Sequence, residues 1–302
     1  MTKNQHLIWR KYLAPWTEDI TSTKGNIAYF NKITGKEKER KSICTIGCEK
    51  YTYDISTINE KDKEAILRYF NEWLNRFKSE TKYVKAEFLK SDKILERDYI
   101  EHNFIGVIEQ KGIKMLNDLY AGKFPFENPT ISQQDWECRF DFFEFLSVQM
   151  LRTWRAREVI FDSIDQTIEK FNDTCFKGTT LAMFPLMMVV NSQVLASAFC
   201  KNNFYIELIS NKTERNFITG DFPLINLCAN FDKAEESLDE MELYYPITPR
   251  IAIICKNTIG SNITRATEDI CEIDDFNKKI FKAAKKEVYA KNIEDLHIYF
   301  EK

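Results

Sequence analysis

Hydrophobic positions in the middle of the chain recur at helical spacing. From 61 to 78 they repeat every three or four residues with Lys, Arg and Glu between them, which predicts an amphipathic helix. The same spacing predicts helical regions over 84–120 and 133–171. A fourth helix is predicted over 179–200, where the run "TTLAMFPLMMVVNSQVLASAFC" contains no charge. The middle of the protein is therefore predicted to be predominantly helical.

The uncharged helix raises the question of a membrane span. Its unbroken apolar part covers only 181–190 and contains Pro185, whereas a span needs about 20 predominantly apolar residues. We therefore predict a buried helix and no membrane partner.

The chain on either side of this helical middle has the pattern of strands. "NIAYFNKITGKEKERKSICTI" predicts an N-terminal hairpin with its turn at Thr34-Gly35 and a charged second strand facing water. After residue 200 the runs "FYIELIS", "NFITG", "LYYPIT" and "RIAIICKN" predict antiparallel strands. A last amphipathic helix, "DDFNKKIFKAAKKEVYA", is predicted to be capped by Asp274 or Asp275 and to carry Val288 on its apolar side.

No repeat and no Pro/Gly/Ser-rich linker divides these parts. We therefore predict one α+β domain over 1–302, with a predominantly helical middle, an N-terminal hairpin and a C-terminal antiparallel sheet.

Composition narrows the setting in which the protein acts. With 44% hydrophobic residues, the chain can close a core. Its net charge of −3 provides no global basic field that would attract nucleic acid or membranes, although a local basic patch is compatible with the sequence. The N-terminus lacks the apolar core of a signal peptide, which predicts a cytoplasmic protein. The eight cysteines are spread out and are predicted to be reduced core thiols. Cys44 and Cys48 form the only close pair, and because structural zinc needs about four ligands and no second cluster exists in the sequence, we predict no metal on the cysteines.

Familiar catalytic motifs are missing from the chain. Its nine glycines form neither GxGxxG nor GxxxxGK[ST], and its three histidines form no HExxH. A GxSxG elbow and a zinc-deaminase signature are also absent from the sequence.

Three isolated polar residues remain as candidates. Arg152 lies in "FDFFEFLSVQMLRTWRAR", which is apolar on nearly every side, so its guanidinium needs a carboxylate or an anionic ligand unless it reaches the surface. Asp221 follows a strand-like run in "FITGDFPLI", where an ordinary turn accounts for it as well as a site does. His6 stands beside apolar residues, where histidines usually serve packing.

These residues fall within motifs that resemble a known family. "NQHLIWRKYLAPW", "NIAYFNK" with "IGCEKYTY", "VQMLRTWRAR", "FITGDFPLI", "YYPITPRIAII" and "FNKKIFKAAKKEVYA" are similar, in order, to the motifs of the bacterial domain of unknown function 4238 family. Trp9, Gly220 and "PITP" depart from that family's pattern. The residues that match or resemble its polar and proline positions are His6, Tyr12, Glu101, Gln149, Arg152, Asp221, Pro223, Pro249 and Asn277.

The resemblance marks positions and leaves three functions open. In the first, an enzyme places its catalytic residues between the helical middle and the C-terminal sheet: His6, Glu101, Gln149, Arg152, Asp221 and Asn277. Such a set suits phosphodiester hydrolysis, by a nuclease or nucleotide hydrolase in a defence or toxin setting, and is compatible with a divalent metal ion. In the second, the same set binds a small anionic ligand without reaction. In the third, Arg152 forms a structural bridge to Asp221 or Glu101 within an interaction subunit.

Overall fold

The computed structural model describes residues 4–18, 24–50, 99–127, 132–159, 162, 180–229, 241–258 and 260–300. The helix predicted over 61–78 and the first part of the region predicted over 84–120 lie outside these residues. The α+β class with a helical middle, an N-terminal hairpin and a C-terminal sheet is confirmed.

The chain divides into two compact units. The helical unit comprises Met1–Gln5, Glu49–Gly112 and Arg139–Lys201. The sheet unit comprises His6–Cys48, Ile113–Cys138 and Asn202–Lys302. Such units are groups of dense contacts, whereas a domain folds on its own, so a single domain over 1–302 stays a prediction.

One long helix and parts of two others, which continue into the residues of the sheet unit, supply most of the described helical unit. A π-helical turn, Glu101–Ile105, leads into α2, Gly106–Tyr120. Helix α3 spans Gln133–Leu151 and α4 spans Thr180–Lys201, while the short α1, Arg10–Leu13, belongs to the sheet unit. The region predicted as helical over 133–171 breaks after α3, and helix resumes over 154–159. Helix α3 is buried on two neighbouring faces, since Phe143 and Leu146 on one and Phe145 and Gln149 on the other are all buried, in agreement with a segment that is apolar on nearly every side.

Within the helical unit, α2 and α3 pack closely. Lys111 pairs with Asp141 at 2.6 Å, and Glu109 pairs with Arg152, directly after the end of α3, so the two helices run antiparallel. Gly112 makes the approach close, because a Cβ atom there would overlap the ring of Phe145.

Helix α4 is the one described helix that is long and apolar enough to cross a membrane. The qualifying window is Phe184–Lys201, and 72% of it is buried inside the protein. This burial is typical of a core helix, in agreement with the predicted buried element.

The first sheet of the sheet unit has four strands in the order β3-β2-β11-β6. Strands β2, Asn26–Asn31, and β3, Glu37–Ser42, form the predicted hairpin, and Glu37 to Arg40 of the charged strand are exposed as expected. The other strands come from the far end of the chain: β6, Thr219–Gly220, and β11, Glu287–Ala290. Strand β1, Asn4–His6, pairs separately with β4, Cys48–Lys50.

The second sheet has five strands in the order β10-β5-β9-β8-β7. Its strands are β5 Tyr205–Asn211, β7 Ile225–Asn226, β8 Glu242–Pro246, β9 Ile251–Lys256 and β10 Ile263–Thr267. The pairings β5–β9, β8–β9 and β7–β8 are antiparallel as predicted, whereas β10 joins the edge parallel to β5.

The last amphipathic helix begins earlier than predicted. Helix α5 spans Ile270–Ala283, and its N-cap is Asp269, whose carboxylate accepts the N–H of Cys271 at 2.8 Å. The prediction of Asp274 or Asp275 as cap is wrong, because both lie inside the helix. Val288 lies on β11 and not on this helix, since the helix ends before Ala284. A short α6, Glu294–His297, follows.

Candidate functional site

Asp221 directly follows β6 and binds the backbone of the connection between α5 and β11. Its Oδ1 accepts the N–H of Lys285 at 2.8 Å. Its Oδ2 accepts the N–H groups of Lys286 at 2.6 Å and Glu287 at 2.9 Å. Burial raises the pKa of Asp221 from its usual 3.8 to about 6, against the lowering effect of these three hydrogen bonds. The carboxylate therefore holds a loop in place through contacts within the sheet unit.

Glu287 links Asp221 to a pair of tyrosines. Its carboxylate accepts the hydroxyl of Tyr29 at 2.9 Å and that of Tyr289 at 2.7 Å, and the two rings stack with centroids 6.2 Å apart. Burial raises the pKa of Tyr289 well above its usual range. Both hydroxyls thus remain protonated donors at neutral pH, and the cluster ties β2 to β11.

Asn277 lies inside the sheet unit with no exposed surface. Its Oδ1 accepts the N–H of Ile218 at 2.9 Å, and its Nδ2 donates to the carbonyl of Asn216 at 2.9 Å and to the Tyr299 hydroxyl at 3.0 Å. These contacts attach α5 to the strand that leads to Asp221. These hydrogen bonds give the Asn277 amide a structural role.

His6 contacts a thiol. The Sγ atom of Cys48 lies 3.1 Å from its Nδ1 and 3.5 Å from its Nε2, and the Ile46 carbonyl oxygen lies 3.3 Å from Nδ1. Burial raises the pKa of Cys48, in opposition to the nearby charge of Arg10, so the thiol is protonated at neutral pH. The histidine and thiol join β1 to β4.

Arg152 forms an ion pair inside the helical unit. Its Nη1 donates to Oε1 of Glu109 on α2 at 2.5 Å, and the arginine side chain is 3% exposed. The sequence requirement for a carboxylate is thus met by a residue that the pattern did not single out. Glu109 is one of several charged residues on the amphipathic helix α2. The spacing of apolar residues shows which face of this helix is polar, but not which acid on it contacts Arg152.

Gln149 lies one helical turn before Arg152. Its side chain is 3% exposed, and its Nε2 has no hydrogen-bond partner among the described residues. A buried amide donor without an acceptor costs about 1–3 kcal/mol. Gln149 and Arg152 therefore concentrate buried donors at one end of α3.

Glu101 opens the π-helical turn before α2. Its Oε2 accepts the amide of Gln5 at 2.9 Å, and its side chain is half-buried. π-Helical turns occur often at functional sites. The acid is thus oriented by a neighbouring side chain while part of it reaches solvent.

The six predicted site residues therefore divide between the units. Glu101, Gln149 and Arg152 belong to the helical unit, and His6, Asp221 and Asn277 to the sheet unit. Their predicted convergence in one pocket stays a prediction. The contacts that sequence reasoning missed are those of Glu109, Cys48, Glu287, Tyr29 and Tyr289.

In the described part of the chain, no group of three His, Cys, Asp or Glu residues is placed to hold a metal ion. Seven described cysteines are reduced thiols. Cys200 and Cys255 are buried as predicted, whereas Cys271 is exposed in the first turn of α5.

The family model described as "Protein of unknown function (DUF4238)" matches residues 4–294. The chain belongs to this family. The match covers both units and every predicted site residue. No curated protein and no solved structure matches the chain.

Another DUF4238 position, Tyr12, is also held inside the sheet unit. Its hydroxyl contacts the Thr219 hydroxyl at 2.5 Å and donates to the Pro246 carbonyl at 2.7 Å, and its ring stacks on Tyr245. Tyr12, Asp221 and Asn277 thus all fasten the segment around β6. Within the DUF4238 pattern these three positions have structural contacts, whereas the Gln149 amide nitrogen has no hydrogen-bond partner in the described part of the chain.

Proposed function

We propose that the protein binds a phosphate-containing ligand through Gln149 of α3 and Arg152, the residue that directly follows this helix. The observation that carries the proposal is the Gln149 amide, a donor that is buried, unpartnered among the described residues and one turn from a buried guanidinium. Natural proteins seldom keep such a donor unless water or a ligand meets it. A phosphate supplies several acceptor oxygens and suits a guanidinium in particular.

The pairing of Arg152 with Glu109 supports a binding role. Nη1 of the guanidinium donates to Glu109, which orients the arginine side chain. Because this orientation exists before a ligand arrives, it reduces the ordering cost of binding.

As a second candidate function, we propose hydrolysis of a phosphodiester, as in a nuclease or nucleotide hydrolase of a defence or toxin system. Glu101 favours it, because this half-buried acid belongs to the same unit as Arg152 and is already oriented by Gln5. His6 is the second acid–base candidate, and a divalent metal ion is compatible with this chemistry. Nucleic acids and nucleotides are the corresponding partners.

Gln149→Leu tests binding without removing a charge. If Gln149 meets a ligand, the leucine variant should remain as stable as the parent or gain stability, and should bind adenosine monophosphate (AMP) at least tenfold more weakly in calorimetric titrations. Gln133→Leu, the same change at an exposed position of α3, is the matched control and should leave both properties unchanged. Unchanged affinity in Gln149→Leu, or no binding of AMP by the parent, would refute the site.

Turnover is tested separately from binding. The parent protein is incubated with bis(4-nitrophenyl) phosphate, single-stranded DNA and RNA in Mg²⁺, Mn²⁺ or chelator. Product formation that is lost in Glu101→Gln, with AMP affinity retained, would establish the hydrolase. Binding without turnover in any condition would leave the binding function and reject the enzyme.

A further inference from the structure

The thiol of Cys48 lies against the imidazole of His6 within the sheet unit. Its Sγ atom is 3.1 Å from Nδ1 and 3.5 Å from Nε2, and both residues are half-buried, so part of each reaches solvent. The carbonyl oxygen of Ile46, 3.3 Å from Nδ1, can only accept a hydrogen bond, which favours the tautomer with its hydrogen on Nδ1. In this tautomer the lone pair that can accept a proton from the thiol is on Nε2.

Several charges act on the same thiol. Burial raises the pKa of Cys48, the neighbouring groups Cys44 and Glu287 raise it further, and the cations of Arg10 and Lys41 lower it. Since the thiolate is the nucleophilic form, the protonated thiol reacts slowly at neutral pH unless a base removes its proton. Arg10 is exposed and Lys41 is half-buried, so both cations can also act on an anionic reagent that approaches the sulfur.

We propose that Cys48 is a modification site whose thiol exchanges with a small anionic disulfide, with His6 as the acceptor of the thiol proton. Nε2 takes the proton as Sγ attacks one sulfur atom of the disulfide, and the S–S bond of the reagent breaks. Cys48 is thereby oxidised to a mixed disulfide, and the departing sulfur is reduced to a thiolate that takes the proton back from His6. Arg10 and Lys41 favour a reagent that carries carboxylates, because opposite charges raise its local concentration. This site is independent of the phosphate site proposed at Gln149.

Exchange with oxidised glutathione, a disulfide that carries carboxylates, tests the site in the full-length chain. Peptide mass spectrometry measures the rate of mixed-disulfide formation at each cysteine at neutral pH. Cys271 is the internal reference, because it is exposed and lies among acidic residues, and Cys48 should react roughly threefold or more faster than this reference. Cystamine, a cationic disulfide, should reduce or reverse the preference for Cys48.

His6→Gln tests the role of the imidazole, because glutamine can still donate to the Ile46 carbonyl but is not a base at neutral pH. Exchange at Cys48 should slow by roughly tenfold or more, while Cys271 in the same sample should be unaffected. A histidine that only packs against the thiol predicts a different result, since its replacement would leave the rate unchanged or would expose the sulfur and increase the rate. Either of those results, or a rate at Cys48 no greater than that at Cys271 with oxidised glutathione, would overturn the proposal.

Arg10→Gln tests the preference for an anionic reagent. It should lower the ratio of the oxidised glutathione rate to the cystamine rate at Cys48 by roughly twofold or more. Lys11→Gln removes the same charge at the next exposed position and is the matched control, which should leave the ratio unchanged. Equal ratios in the two variants would overturn the anionic preference. Circular dichroism establishes that each variant is folded.

Discussion

Lys32 and Asp221 bind opposite groups of the same short connection between α5 and β11. The ammonium of Lys32 donates to the carbonyl oxygens of Phe281 and Ala284 at 2.6 Å each. The carboxylate of Asp221 accepts the N–H groups of residues 285–287. A cation at the carbonyl end of a helix and an anion at successive N–H groups are both favourable, so the two side chains hold the connection together. This contact accounts for a carboxylate placed between a strand end and an apolar run.

Asp221→Asn should lower the free energy of unfolding by about 1–3 kcal/mol at pH 7.5. The amide has one acceptor oxygen for three backbone donors, and its NH₂ would face an N–H group. Removal of a buried charge offsets part of this loss. Urea denaturation followed by circular dichroism measures the difference. Asp275→Asn, at an exposed position of α5, should change little, and an equal effect of the two substitutions would contradict the structural role.

The contribution of Asp221 to stability should depend on pH in an unusual direction. Its pKa is raised from 3.8 to about 6 on folding, so the folded protein holds more protons at this residue between these values. Its contribution is therefore complete below about pH 4 and falls by about 3 kcal/mol as the pH rises through 6. The difference in stability between the parent and Asp221→Asn should decrease from pH 4.5 to pH 7. A difference that grows with pH would show that the hydrogen bonds outweigh burial.

Lys32→Met should cost about 1–2 kcal/mol, because it removes a charged donor from two carbonyl groups at the end of α5. The methionine retains the apolar stem, which limits the change to the ammonium. Thermal or urea unfolding measures the effect. Lys38→Met, on the exposed strand of the same hairpin, should have almost no effect. Comparable losses at both lysines would indicate a general charge effect.

Gly112→Ala should destabilise the protein by about 1–3 kcal/mol, because its Cβ atom would overlap the Phe145 ring between α2 and α3. Gly106→Ala is a matched control in the same helix. The nearest atom to its Cβ would be the Glu101 carbonyl oxygen at 3.3 Å, and alanine favours the helix by up to about 1 kcal/mol. The two substitutions should thus have unequal effects in denaturant unfolding. Equal stability of both variants would contradict the close packing.

Local pattern was sufficient to predict the hairpin, the buried α4 and the strands after residue 200. It could not predict that β2 pairs with β11, because spacing within a segment carries no information about a partner far along the chain. The predicted start of α5 was wrong for a related reason. Asp269, Asp274 and Asp275 are all suitable caps, and the choice depends on where β10 ends and the helix packs.

The candidate site shows the same limit. Burial of Arg152 implied a carboxylate, but the choice of Glu109 depends on the rotation of α2 against α3. Asp221 and Asn277 were found as positions, whereas their partners are mainly backbone groups that no side-chain motif reveals. The isolated polar residues and the family motifs therefore marked important positions. They did not distinguish a residue that would bind a ligand from one that stabilises the fold.

The division of the chain into alternating segments has a consequence for its synthesis. All segments of the helical unit have been made once Lys201 leaves the ribosome, whereas the sheet unit still lacks the strand that joins β2 to β6. At about 5–20 residues per second, the N-terminal hairpin waits on the order of ten seconds or more for β11. During that interval one side of β2 has no strand beside it. Nascent chains stalled soon after residue 201 should consequently be more open to proteolysis in the hairpin than chains released at full length.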